Sequence, residues 1–269
     1  MLRFPECNIR TSCREAPMPR TSSGMFYREL GRGDRTLVML PGFGCSTGTM
    51  TGLAERLPRF RVLIFDLPGH SESRGVPANG RIPSLAATVH DAIAEVVDGR
   101  YDLLGVSLGG AVALRIALDH PDRVRALVGV TPWNAAGTVP GDAVIAGFAA
   151  SYGEADLLRQ GVAAISIDPA RTASLADDML AVSREMWQGW LTEGVFTSQA
   201  DELPGLRVPT CSLIGGKDVV VDQAKQLDDI RRVPSGRAVV LSDHGHLGVL
   251  EAPGDFARET AAFLGTVEL

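Results

Sequence analysis

The chain has 269 residues, of which 45% are hydrophobic and 6% aromatic, a composition typical of a globular protein with a sizeable core. Its formal net charge of −6 leaves no excess of lysine and arginine to bind a phosphate backbone, so nucleic acid is not an expected partner. No apolar stretch approaches the roughly 18 residues that cross a membrane, and the N-terminus lacks the apolar segment of a secretory signal.

The four cysteines, Cys7, Cys13, Cys45 and Cys211, are scattered along the chain without CxxC or histidine spacing. This distribution argues against a metal site and against a dense disulfide framework. We therefore expect a cytoplasmic protein that needs no metal.

The first 17 residues show neither the period of a strand nor that of a helix, and we expect residues 1–17 to be a disordered extension. From Met25 onward, short β-rich runs alternate with amphipathic stretches. Four strands are predicted by MFYREL, TLVMLPG, RVLIFDLPG and YDLLGVS. Between the last two, SLAATVHDAIAEVV has apolar residues at helical spacing and predicts a helix.

The alternation continues with a helix in LGGAVALRIALDH, which stops before Pro121, and a buried strand in RVRALVGVTP. The C-terminal part repeats the scheme in TCSLIGG, VDQAKQLDDIRR, RAVVLSD and APGDFARETAAFLG. Such alternation predicts an α/β fold with a mostly parallel sheet and helices on both faces.

The alternation lapses over residues 133–206. This stretch contains helical patterns, DAVIAGFAASYG and LADDMLAVSREMWQGWLTEG, but no convincing strand. The simplest interpretation is a helical cap over residues 133–206, inserted into a core formed by residues 18–132 and 207–269. An independent domain is the alternative.

Ser107 lies in GVSLG, a GxSxG pattern at the point where a predicted strand becomes a predicted helix. Flanking glycines permit a tight turn that exposes the serine hydroxyl, the setting of a nucleophile elbow. A serine hydroxyl is a poor nucleophile near neutral pH and needs an adjacent base that an acid orients. The sequence should therefore supply a histidine and a carboxylate.

The chain has five histidines. His90 falls in a helix, His120 at a helix end and His70 in a turn, and structural roles explain all three. His244 and His246 lie in LSDHGHLGVLEAP, the loop after the last predicted strand. Because that loop faces the same edge of the sheet as the serine, we favour His246, with His244 as the alternative base.

The candidate acid is Asp218, which follows the predicted strand and glycine turn in LIGGKDVVV. A carboxylate there would lie at the same sheet edge as the serine. Asp222 suits a cap of the next helix, and Asp218 could also be a turn former only. The segment after the preceding strand, TPWNAAG, holds no carboxylate, so Asp218 has little competition.

The chain order Ser107, Asp218, His246 resembles that of the α/β-hydrolase superfamily, in particular its cap-bearing, esterase- and lipase-like members with a serine nucleophile. VMLPGFG, FDLPGHSES and GHLGVLEAP resemble three further motifs of that superfamily. The resemblance covers about residues 25–265. It implies an oxyanion hole formed by the backbone amides of Phe43 and Leu108.

The resemblance implies a serine hydrolase that cleaves an ester, thioester or lactone bond of a small, rather apolar substrate through an acyl-enzyme, without a cofactor. Large apolar side chains of the cap are candidates for the substrate pocket, although they could equally pack the cap helices together. These candidates are Trp133, Phe148, Met179, Met186, Trp187, Trp190 and Phe196.

Other functions of the same fold stay open at this point. A receptor would bind a small ligand with negligible turnover, whereas a hydroxynitrile lyase or perhydrolase would use the same site for other chemistry. The carbon–carbon hydrolases of this superfamily usually have tryptophan after the catalytic histidine; this chain has Leu247, which disfavours that function without excluding it. The sequence leaves the oligomeric state open.

Overall fold

The computed structural model describes residues 19–138 and 140–268, which contain one seven-stranded sheet. The strands are β1 (Tyr27–Leu30), β2 (Arg35–Leu40), β3 (Phe60–Phe65), β4 (Tyr101–Val106), β5 (Val124–Val130), β6 (Thr210–Gly215) and β7 (Gly236–Leu241). Their order is β1-β3-β2-β4-β5-β6-β7; β1 pairs antiparallel with β3, and the other pairs are parallel. The predicted mostly parallel sheet is confirmed. The expected extension 1–17 lies outside the described residues.

Helices flank both faces of the sheet, as predicted. In chain order they are α1 (Thr47–Ala54), α2 (Ile82–Ala94), α3 (Leu108–Asp119), α4 (Asp142–Ala150), α5 (Ala155–Ile165), α6 (Pro169–Thr172), α7 (Leu175–Leu180), α8 (Arg184–Thr192), α9 (Gln223–Arg232), α10 (Gly248–Glu251) and α11 (Pro253–Leu264). Buried residues of α1 and α11 pack on one face, and those of α2, α3 and α9 pack on the other.

The central strand β4 explains why its sequence reads as a continuous apolar run. All six of its residues are buried, with Leu103 in the core on one face and Leu104 in the core on the other. A strand covered on both faces needs apolar side chains in both directions. The exception is Asp102, near the amino end, whose buried carboxylate pairs with Arg35 and Arg125. The two polar side chains, Asp102 within β4 and Ser107 in the turn after it, therefore lie at opposite ends of the strand.

The segment between β5 and β6 contains helices α4 to α8 and two short 3₁₀ helices, and no described residue of 133–206 belongs to a strand. The stretch is helical, as its sequence patterns indicate, although α5 and α6 were not predicted; a cap inserted into the core stays a prediction. The second predicted helical pattern is divided into α7 and α8. The Ser183 hydroxyl accepts a hydrogen bond from the Met186 N–H at 3.2 Å, and this N-cap starts a new helix.

Candidate active site

Ser107 occupies a sharp turn between the end of β4 and the start of α3. Its φ of 50° lies in the left-handed region, which is strained for a residue with a side chain. A Cβ on Gly105 would lie 2.2 Å from the Gly109 carbonyl oxygen, and one on Gly109 would lie 2.4 Å from the Leu40 carbonyl oxygen. Both flanking positions therefore require glycine, because any side chain there would clash with neighbouring backbone. The turn holds the hydroxyl at the carboxyl edge of the sheet.

Ser107, His246 and Asp218 form one hydrogen-bonded chain across that edge. His246 Nε2 lies 3.1 Å from Ser107 Oγ, and His246 Nδ1 lies 2.9 Å from Asp218 Oδ2. Because a carboxylate only accepts, Nδ1 carries the hydrogen, which leaves Nε2 free to accept the serine proton. Each of the three residues is only 8% exposed. The arrangement can deprotonate the serine hydroxyl while a buried anion stabilises the resulting imidazolium.

The backbone orients Asp218 from the side opposite the histidine. The turn after β6 is closed by a 3.2 Å hydrogen bond from the Asp218 N–H to the Gly215 carbonyl. Asp218 Oδ1 then accepts hydrogen bonds from the N–H groups of Val220 at 2.8 Å and Val221 at 3.0 Å. With Oδ1 held in this way, the second oxygen is directed at His246.

The alternative residues lie in other interactions. His244 Nε2 is 3.0 Å from Asp255 Oδ2, so this histidine turns away from the serine. Asp222 caps α9 by accepting hydrogen bonds from the N–H groups of Ala224 and Lys225. The His90 and His120 rings stack on each other with their centroids 3.5 Å apart.

Two backbone N–H groups lie beside the serine and remain available to an anion. Leu108 is the first residue of α3, where an N–H has no intrahelical acceptor and the helix dipole favours negative charge. Phe43 follows Gly42, and a Cβ on Gly42 would lie 3.4 Å from Ser107 Cβ. Within residues 19–138 and 140–268, neither the Phe43 nor the Leu108 N–H has a hydrogen-bond acceptor. Both fit the role of donor to a developing oxyanion.

An aromatic cluster joins the loop between β2 and α1 to the insertion. We define it as Phe43, Trp133, Phe148, Trp187 and Trp190. The Phe43 ring centroid lies 5.5 Å from that of Phe148, 5.1 Å from that of Trp187 and 6.1 Å from that of Trp190. Trp133 joins the cluster through Trp190 at 5.1 Å. Four of the seven residues predicted for the pocket thus assemble around a fifth ring, that of Phe43, which the sequence indicated only for its backbone.

The other three predicted pocket residues differ from one another. Met179 packs on the loop that contains Phe43, since a Cβ on Gly44 would lie 2.5 Å from Met179 Cγ. Met186 is completely buried. Phe196 is 40% exposed and makes no ring contact with the aromatic cluster. Tyr152, which the sequence did not indicate, packs edge-on against Trp187 at 5.5 Å.

His70 also contacts the aromatic cluster, although the sequence indicated only a structural role for this turn residue. Its ring meets the Phe43 ring edge to face at 5.5 Å, and the residue is 1% exposed. Burial lowers the pKa of His70 to about 4. The next residue is Ser71, at a position that is usually glycine in the superfamily motif that FDLPGHSES resembles. Its φ is 42°. The sequence did contain one signal that His70 lies near the site: its loop comes directly after β3, at the carboxyl edge of the sheet.

The described residues contain neither a metal-binding cluster nor a membrane-spanning helix. No group of three or more histidine, cysteine, aspartate or glutamate side chains there could hold a metal ion. No helix of the described part of the chain is both long and apolar enough to cross a membrane.

Known proteins resemble the chain over most of its length. The model of the alpha/beta hydrolase family matches residues 37–259. A pimeloyl-[acyl-carrier protein] methyl ester esterase of Aeromonas hydrophila subsp. hydrophila is 30% identical over 252 residues, which cover 85% of this chain and 95% of that protein.

Two solved structures have a similar fold. A hydrolase from Pseudomonas aeruginosa PA01 superposes with a TM-score of 0.80 at 25% identity, over 92% of this chain and 97% of that one. The enol-lactonase from Burkholderia xenovorans LB400 also gives 0.80, at 22% identity over 90% of this chain and 96% of that one. At that identity the lactonase shows the fold alone. From the family match and the esterase relative, the chain belongs to the alpha/beta hydrolase family and is an ester hydrolase.

Proposed function

We propose that the protein hydrolyses an ester, thioester or lactone bond of a small, rather apolar substrate, with Ser107 as nucleophile, His246 as base and Asp218 as the orienting acid. The observation that supports this most is the hydrogen-bonded chain from Ser107 Oγ through His246 to Asp218. The Phe43 and Leu108 N–H groups, which have no acceptor among the described residues, add to it.

In the first half of the proposed reaction, Ser107 Oγ bonds to the substrate carbonyl carbon while its proton passes to His246 Nε2. The carbonyl electron pair moves onto oxygen, which accepts hydrogen bonds from the Phe43 and Leu108 N–H groups. One such donor contributes about 3 kcal/mol in a characterised hydrolase. The intermediate then collapses, the bond to the leaving group breaks, and the leaving group takes the proton from Nε2.

In the second half, water replaces the serine as nucleophile. His246 Nε2 takes a proton from the water, whose oxygen attacks the acyl carbon, and the same two N–H groups receive the second oxyanion. Collapse returns the proton to Ser107 Oγ and releases the carboxylic acid. Every proton passes through His246 Nε2, which contacts Ser107 Oγ, so the proposed cycle needs no cofactor.

We propose that residues 133–206 act as a cap and that their side chains bind the apolar part of the substrate. The aromatic cluster contacts the Phe43 loop, so its rings lie next to the proposed position of the carbonyl. Trp133, Phe148, Met179, Met186, Trp187 and Trp190 are the proposed pocket residues. Phe196 is left out because its ring is exposed and lies apart from the cluster.

The charge of the cap favours free, neutral esters over substrates on an acidic carrier. Residues 133–206 contain ten aspartates and glutamates and three arginines. A partner with a negative surface would meet like charge there, which slows association and disfavours docking. The A. hydrophila esterase is named for an acyl-carrier-protein substrate; for this chain we propose a small ester without a carrier.

The test combines covalent labelling with turnover. We expect a fluorophosphonate probe to label Ser107, identified by peptide mass spectrometry, and p-nitrophenyl esters of increasing acyl length to be hydrolysed. Ser107→Ala and His246→Ala should each lower kcat by about 10⁴-fold or more, because triad members act as a unit. His244→Gln is the matched control and should retain turnover, since His244 contacts Asp255 instead. Near wild-type turnover in Ser107→Ala would refute the proposed nucleophile.

A further inference from the structure

The protonation of His70 is determined by its surroundings. Nδ1 lies 3.0 Å from the Pro68 carbonyl oxygen. Because a carbonyl oxygen can only accept, Nδ1 must carry a hydrogen and donate it. Burial also lowers the pKa of His70, so the ring is neutral at pH 7. Nε2 is therefore a lone-pair acceptor.

That acceptor has no partner in the described part of the chain. Nε2 is buried and finds no hydrogen-bond donor among residues 19–138 and 140–268. A buried polar atom without a partner is costly, and native proteins generally satisfy such atoms. The chain therefore keeps an unsatisfied acceptor at a fixed position.

His70 differs in position from the other described residues that have a buried polar atom without a partner. These are atoms of His90, Tyr101, Gln199, Ser212, Gln226 and Thr260. Tyr101 is the first residue of β4, at the amino edge of the sheet. Thr260 lies in α11, on the face of the sheet opposite to α3. Ser212 and Gln226 line a cavity of about 60 Å³ between the insertion and α9. Of all these residues, His70 is the one whose ring touches Phe43.

We infer that His70 Nε2 accepts a hydrogen bond from the substrate, which makes esters with a hydroxyl or amide N–H close to the ester carbonyl the preferred class. The inference rests on the proposed function, since Phe43 is placed beside the reacting carbonyl only if Ser107 is the nucleophile. His70 would then be a specificity-determining residue. A site built to accept from a substrate O–H or N–H discriminates against the analogue that lacks this group, because the acceptor stays unpaired.

The experiment compares esters that differ only in the donor. The probes are p-nitrophenyl butyrate and its 2-hydroxy and 3-hydroxy derivatives, together with the p-nitrophenyl ester of N-acetylglycine. For the wild type we expect kcat/KM of at least one donor-bearing ester to exceed that of butyrate by about tenfold, the effect of one hydrogen bond. In His70→Phe, which keeps a ring but removes the acceptor, that ratio should fall to about one.

Two further variants test whether the ratio reports the acceptor. His70→Gln can place a carbonyl oxygen near the position of Nε2 and should restore part of the preference. His90→Phe removes a half-buried histidine whose Nδ1 also has no partner among the described residues, and should leave the ratio unchanged. Fluorophosphonate labelling of Ser107 checks that each variant is folded.

The outcomes separate this inference from the proposed function. Absence of turnover of every ester by the wild type overturns the proposed function. Turnover of all four esters with no preference above threefold overturns the role of His70 alone. A preference that persists in His70→Phe does the same, and so does a complex with a hydroxylated analogue in which only water meets Nε2.

Discussion

Helices α4 and α8 belong to the same insertion and both carry aromatic side chains of the cluster, yet they are held very differently. Helix α8 buries Met186, Trp187, Trp190 and Leu191, whereas no residue of α4 is buried and Val144 there is 65% exposed. Composition alone does not explain this contrast, because α4, with the sequence DAVIAGFAA, is the more apolar of the two.

The difference comes from backbone contacts. The loop after β3 meets α8 where Gly80 and Gly189 approach each other, and a Cβ on Gly189 would lie 1.9 Å from the Asn79 carbonyl oxygen. The Ser183 N–H also donates to the Gly69 carbonyl at 2.7 Å. These main-chain contacts join helix α8 directly to the core.

Helix α4, by contrast, is held largely through Phe148. The Phe148 ring stacks on Trp187 with centroids 4.7 Å apart, and the Trp187 indole N–H donates to the Phe148 carbonyl at 3.2 Å. Ser107 is only 8% exposed, so we expect a substrate that binds there to displace part of the protein. From this contrast we predict that α8 is a fixed wall of the proposed site and that α4 is the part that moves.

The largest effect should follow from breaking the α8 contact. In Gly189→Ala the new methyl group would overlap the Asn79 carbonyl, and we expect the free energy of unfolding to fall by about 3 kcal/mol or more. Alanine normally stabilises a helix relative to glycine, so a loss can come only from this contact. Chemical denaturation measures it, and unchanged stability would show that α8 is not docked as described.

Acid should weaken the same wall through His70, which follows Gly69. The pKa of His70, about 4 in the folded protein, is below the ordinary value of 6.5, so the unfolded chain binds more protons between these pH values. Stability is therefore lost progressively as pH falls from 6.5 to 4, and the loss is complete below pH 4. The expected loss is about 3 kcal/mol.

His70→Phe provides the comparison for this pH dependence. Its unfolding free energy should fall less than that of the wild type between pH 7 and pH 4, because the other titrating groups, including half-buried His90, are common to both proteins. Denaturation curves at the two pH values measure the difference. Parallel losses in both proteins would mean that His70 titrates normally.

A smaller effect is expected for Phe148→Ala, which removes the stacked ring that holds α4. Since the ring is only partly buried, we expect α4 to open more easily by about 1.4 kcal/mol, while global stability changes less. Hydrogen exchange should show a tenfold loss of protection confined to the amides of α4. Phe196→Ala, at a ring exposed to 40%, is the control and should leave α4 unaffected.

This contrast also shows which features the sequence could predict. Ser107 follows β4 directly, and Asp218 and His246 lie in the loops after β6 and β7. Because parallel strands bring their carboxyl ends to one edge, chain order was enough to group them. The mostly parallel sheet could be predicted for the same reason, since alternating strand and helix periods leave few topologies.

The arrangement of the insertion could not be predicted, because helical periodicity indicates which face of a helix is apolar but not what covers it. Phe148 and Phe196 were equal candidates in the sequence, and the structure places one on Trp187 and leaves the other exposed. The acceptor of His70 was missed because its meaning depends on a contact with Phe43, 27 residues earlier in the chain.

The smallest effect has the opposite sign and completes the comparison. Gly147→Ala makes in α4 the same substitution as Gly189→Ala in α8, but a Cβ on Gly147 meets no atom within 4 Å. Alanine should therefore stabilise α4 by about 0.5–1 kcal/mol through helix propensity and reduced freedom of the unfolded chain. The gain should appear as slower hydrogen exchange of α4 amides. Gly161→Ala, at an equally open position in α5, should slow exchange in its own helix only. If Gly147→Ala instead destabilised the protein as Gly189→Ala does, α4 would be packed as tightly as α8, and substrate would have to enter by another route.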